Sequence, residues 1–90
     1  MDNNKEGYTD TEMERIILDI VREEAEDDEI EMHTELIESG ILDSIILYLI
    51  LDAIDKRFQV SFIENELDIS RFTTVHNIYE LVKEMKEKNQ

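Results

Sequence analysis

The sequence predicts an all-α protein, a small bundle of three main helices plus one short helix with a long loop after the first. Apolar residues recur at helical spacing near both ends of the chain, with capping residues ahead of each stripe. In addition, the one strand-like stretch, Phe58-Gln59-Val60-Ser61-Phe62, has no second strand to pair with. Ninety residues fit a single domain, read here as residues 9–86 between short tails, 1–8 and 87–90.

The first helix begins near Thr9. Both Thr9-Asp10-Thr11-Glu12 and Thr11-Glu12-Met13-Glu14 have the spacing of a capping box, in which a threonine hydroxyl and a glutamate satisfy each other's backbone N–H groups. Met13, Ile16, Ile17, Ile20 and Val21 then form one stripe, ending around Ala25. Residues 26–43 show no sustained period and are strongly acidic, so they read as a loop pinned to the core by Ile30, Leu36, Ile37 and Leu42. Ser39-Gly40 marks a turn in it.

Asp43 is suited to cap a second helix, Ser44 to about Phe58, because its carboxylate can accept from the first unpaired N–H groups. Tyr48, Leu51, Ile54, Asp55 and Phe58 mark the core-facing side of that helix. Phe58–Phe62 follows as an extended connector whose aromatics plug the core. Glu64–Ser70 reads as the short helix, anchored by Leu67 and Ile69. Thr73 or Thr74 caps a last helix with the stripe Val75, Ile78, Tyr79, Val82 and Met85. Lys83, Lys86 and Lys88 complement the dipole at its C-terminus.

Composition excludes several functions. There is no cysteine, hence no disulfide framework, thiolate zinc site or protein thiol chemistry. With 24 acidic and 9 basic residues and a net charge of −15, the chain repels nucleic acid and anionic lipid. The longest apolar run, Ile45 to Leu51, is far short of the ~20 residues a membrane helix needs. The polar, acidic start is no secretory signal, so a cytoplasmic protein is expected. An EF-hand loop starting at Asp27 would place Met32 where glycine is required. His33 and His76 lack a partner histidine at metal-ligand spacing and read as surface or edge residues. No Gly-x-Ser-x-Gly elbow is present for a hydrolase.

The chemical candidate is Ser44. It directly follows an acidic cap, on the first turn of a helix, after a glycine-containing loop. Such a terminus has unpaired N–H groups and partial positive charge that suit an attached phosphate. On composition alone, two polar residues at an ordinary helix start is the better reading, since Ser and Asp abound at such places.

The stretch Ser39-Gly40-Ile41-Leu42-Asp43-Ser44-Ile45 resembles the phosphopantetheine-attachment motif of the acyl and peptidyl carrier protein family. The likeness runs over roughly residues 10–86, through Phe58-Gln59-Val60 and Phe72-Thr73-Thr74-Val75 to the closing helix. Two residues separate Gly40 from Asp43, a form closer to D-alanyl and stand-alone aminoacyl or polyketide-type carriers than to fatty-acid-synthesis carriers. The resemblance implies a four-helix carrier-protein bundle that is not an enzyme. Ser44 would bear 4'-phosphopantetheine, taken from coenzyme A by a magnesium-dependent phosphopantetheinyl transferase. Asp43 would cap the helix and help place the transferase's metal. An adenylating acyl or aminoacyl ligase would load the thiol, and a downstream acyl-accepting enzyme would take the cargo.

One departure from the family stands out. Where its members expose acidic residues after the serine, Ile45, Ile46, Leu47, Leu49 and Ile50 make this helix apolar almost all round. Ile45, Ile46, Leu49 and Ile50 are therefore candidates for a partner-docking patch, unless the acidic loop folds over them. An acidic helical adaptor, gripping a partner through this helix without any modification, is the alternative function.

Overall fold

A computed structural model of the chain describes residues 8–62 and 69–88. These form three α-helices, α1 (Asp10–Ala25), α2 (Ser44–Phe58) and α3 (Val75–Lys88), with a 3-10 turn at Ile69–Phe72. No strand occurs among the described residues. Of the expected short helix at Glu64–Ser70, residues 64–68 lie outside the described residues; the 3-10 turn begins at its end.

Of the two overlapping capping boxes, α1 uses the first. The Glu12 N–H donates to Thr9 Oγ1 at 3.1 Å, and the Thr9 N–H donates to Glu12 Oε1 at 3.0 Å. Met13, Ile17 and Val21, at i, i+4 and i+8, are buried, with Ile16 and Ile20 packed beside them. Glu26 ends the helix in the left-handed region, φ 54° and ψ 45°. The Arg22 Nε then donates to the Ile30 carbonyl at 2.7 Å, which turns the loop back onto the helix end.

The core face of α2 is Leu47, Ile50, Leu51, Ile54 and Phe58. It is rotated from the expected face: Tyr48 points outward and Leu47 takes its place in the core. The reason is that seven consecutive apolar residues give no local phase. The register is fixed downstream, where Asp52, Lys56 and Arg57 must stay in water and Ile54 and Phe58 must not.

The connector after α2 is held by side chains, as expected. Val60 and Phe62 are buried, the Phe62 N–H donates to Asp55 Oδ1 at 2.9 Å, and Phe62 meets Phe72 edge-on at 6.0 Å. Tyr8, placed by the sequence in the tail, packs edge-on to Phe58 at 5.1 Å. Of the two threonines ahead of α3, Thr74 makes the capping contact, its Oγ1 accepting from the Asn77 N–H at 3.1 Å. Val75, Ile78, Tyr79, Leu81 and Val82 of α3 are buried. The Lys86 ammonium donates to the Phe58 carbonyl at 3.1 Å, satisfying an acceptor at the end of α2.

Candidate functional site

The loop between α1 and α2 lacks helical order, yet it is closely tied down. Ile30, Leu36 and Leu42 are buried, and Ile37 and Ile41 pack against the core. Backbone hydrogen bonds fasten it to the start of α3: the Leu36 N–H donates to the Thr73 carbonyl at 2.8 Å, and the His76 N–H to the Met32 carbonyl at 2.9 Å. The Leu42 N–H returns to the Leu36 carbonyl at 2.9 Å, closing a turn between two buried leucines.

Glu35 organises that turn. Its carboxylate accepts from the N–H groups of Ile37 (3.1 Å) and Ser39 (2.8 Å), while the Ser39 hydroxyl donates to the Glu35 carbonyl at 2.6 Å. The Glu38 backbone N–H above all holds the Glu35 carboxyl below its usual pKa; desolvation opposes it, and the N–H groups of Ser39 and Ile37 reinforce it. Gly40 has φ 82°, a left-handed conformation open to glycine. A Cβ there would meet nothing within 4 Å, so backbone geometry and not space favours glycine.

Asp43 is extended, and its Oδ1 accepts the Ile46 N–H at 2.8 Å. Because Asp43 fills the cap position, the adjacent Ser44 hydroxyl is not needed to end the helix. Ser44 is exposed as the first residue of α2.

The four candidate docking residues separate into three environments. Ile45 is 71% exposed and Leu49 44%. Ile46 is half-buried and packs against the core. Ile50 is fully buried, one turn before Ile54 on the inner face, so it is removed from the patch. Tyr48, which the sequence placed in the core, is 53% exposed and joins the patch instead. Ser44, Ile45, Tyr48 and Leu49 thus share one outward face over the first two turns of α2.

Sequence reasoning also missed the meeting of the chain's two histidines. His33 in the loop and His76 in α3 lie with ring centroids 5.1 Å apart. A separation of 43 positions carries no sequence signal for that contact. No group of three or more His, Asp or Glu among the described residues is placed to hold a metal ion. A shallow surface depression of about 310 Å³ is lined by Arg71, Glu80, Lys83, Glu84 and Glu87, all on α3 or the 3-10 turn. No helix of the described residues is long and apolar enough to cross a membrane.

No protein-family model, curated protein or solved structure matches the chain.

Proposed function

We propose that this protein is an acyl carrier: Ser44 bears a 4'-phosphopantetheine arm, whose thiol holds an acyl or aminoacyl group as a thioester for partner enzymes. The observation that carries this reading is the exposed Ser44 on the first turn of α2, with the neighbouring Asp43 supplying the cap. A hydroxyl so placed is open to an incoming enzyme, and a phosphodiester formed on it lies at the positive end of the helix dipole. The motif resemblance from Ser39 to Ile45 supplies the chemical identity of the group. In this reading the protein is a four-helix carrier bundle and works in the cytoplasm without catalysing a reaction itself.

In the attachment step, the Ser44 oxygen attacks the phosphorus of coenzyme A that carries the pantetheine. A new P–O bond forms, the pyrophosphate P–O bond breaks, adenosine 3',5'-bisphosphate leaves, and the serine proton passes to a base of the transferase. The transferase, the adenylating ligase and the acyl-accepting enzyme would dock on the face of Ile45, Tyr48 and Leu49 beside Ser44.

Intact mass after incubation with coenzyme A, magnesium and a broad-specificity transferase tests the proposal. The wild type should gain one phosphopantetheine and Ser44→Ala none. An unchanged mass, or an adduct that survives Ser44→Ala, overturns it. The unmodified adaptor then becomes the better reading, since exposed Ile45, Tyr48 and Leu49 would serve it equally well.

A further inference from the structure

We infer, on the basis of the acyl-carrier reading, that Glu35 is a positioning residue for the modification of Ser44. It holds the exposed tip of the α1–α2 loop in one shape on the N-terminal side of the serine. A specific protein contact takes roughly 20–30 residues a side, far more than Ser44, Ile45, Tyr48 and Leu49 supply. Ser44 opens α2, so an enzyme closing on its hydroxyl also meets Asp43 and the loop before it, where Glu38, Ser39 and Gly40 are exposed.

This part of the loop divides into two anchors and a tip. Leu36 and Leu42 are buried; the Leu36 N–H donates to the Thr73 carbonyl and the Leu42 N–H to the Leu36 carbonyl. Those contacts fasten both ends of the segment without the Glu35 side chain. Between them, residues 37–41 are half-buried or exposed, and Glu35 shapes them. Its carboxylate accepts from the Ile37 and Ser39 N–H groups at 3.1 and 2.8 Å, and its carbonyl accepts from the Ser39 hydroxyl at 2.6 Å. The Gly40 N–H closes the tip onto the Ile37 carbonyl at 3.1 Å. Glu35 is half-buried with its carboxylate turned to the backbone, so it acts through the tip and not by touching the enzyme. Removing the carboxylate takes the acceptor from two N–H groups and loosens the tip, while the buried leucines keep the fold. The enzyme must then order the tip as it binds, which weakens binding. Ser44 stays on its turn under the Asp43 cap, so the chemical step is unaffected.

Steady-state phosphopantetheine transfer, followed by intact mass with coenzyme A, magnesium and a broad-specificity transferase, tests this with the carrier as the varied substrate. Glu35→Ala should raise KM about five- to tenfold, with kcat within about twofold of wild type. Glu35→Asp should recover most of the loss, because an aspartate can accept from the backbone N–H two residues on. Val82→Ala, a core change that removes no loop hydrogen bond, should keep the wild-type KM. An unchanged KM in Glu35→Ala overturns the inference. So does a Glu35→Asp protein no better than the alanine variant, or an equal rise in Val82→Ala, which would mark general destabilisation. A wild type that takes no adduct is a different failure: it overturns the acyl-carrier reading, and this role of Glu35 with it.

Discussion

The Asp43 carboxylate holds the Ile46 N–H at 2.8 Å across Ser44 and Ile45, so cap and candidate attachment residue occupy adjacent positions in one helical turn. Removing this carboxylate exposes what it contributes. Asp43→Ala should lower stability by about 1 kcal/mol, and melting temperature by roughly 4–8 °C. Asp43→Asn, which keeps an acceptor oxygen, should retain most of both. Thermal unfolding of the three proteins checks the ordering, and equal losses in both variants would remove the capping role.

Glu35 adds a pH dependence of known sign. Its carboxyl is held below its usual pKa in the folded protein, chiefly by the Glu38 backbone N–H. A depressed folded pKa contributes stability above the unfolded value of 4.5, and that contribution is lost as pH falls through the folded value. Melting temperature should therefore drop more steeply on acidification in the wild type than in Glu35→Gln, which has no proton to take up. Parallel curves for the two proteins would show that the turn does not draw on the charge.

How much of this was legible in the sequence depended on the range of the interaction. The Thr9 and Asp43 caps, the Gly40 turn and the buried stripes of α1 and α3 follow from local rules, and the structure has them. The phase of α2 did not follow, because Ile45 to Leu51 offer apolar side chains in every direction. Only the inner face carried back from Ile54 and Phe58, with Asp52, Lys56 and Arg57 kept in water, selects Leu47 and Ile50 and leaves Tyr48 outside. The Glu35 turn and the His33–His76 contact depend on a loop path set by Ile30, Leu36 and Leu42, which no periodicity encodes. Ser44 was legible as a position; its exposure beside an apolar face needed the phase of α2.

That phase has a direct energetic test. Ile50 is fully buried, so Ile50→Ala should cost about 2–5 kcal/mol. Leu49, 44% exposed, should change stability by no more than about 0.5 kcal/mol when replaced by alanine. Chemical denaturation of both variants reads the difference. Similar costs for the two would mean that α2 packs in another register.

The net charge of −15 sets the response to salt. Screening weakens exposed pairs such as Lys83–Asp10, Lys56–Asp52 and Arg71–Glu84, but such pairs contribute little. It also relieves repulsion among the acidic residues that outnumber them. Melting temperature should therefore rise by roughly 4–8 °C between low and moderate salt, the shift expected for about 1 kcal/mol. A flat or falling response would show that the ion pairs outweigh the repulsion.

Glu26 offers a stabilising substitution. It ends α1 at φ 54°, where a side chain crowds the following carbonyl at about 1–2 kcal/mol, and it places a negative charge at the negative end of the helix dipole. Glycine relieves both, at the expense of a more flexible unfolded chain, which offsets about 0.5–1 kcal/mol. Glu26→Gly should therefore stabilise the protein by up to about 1 kcal/mol. Glu26→Asn, which tolerates the left-handed region and lacks the charge, should fall between glycine and wild type. A Glu26→Gly protein less stable than wild type would mean that the Glu26 side chain makes a compensating contact at the end of α1.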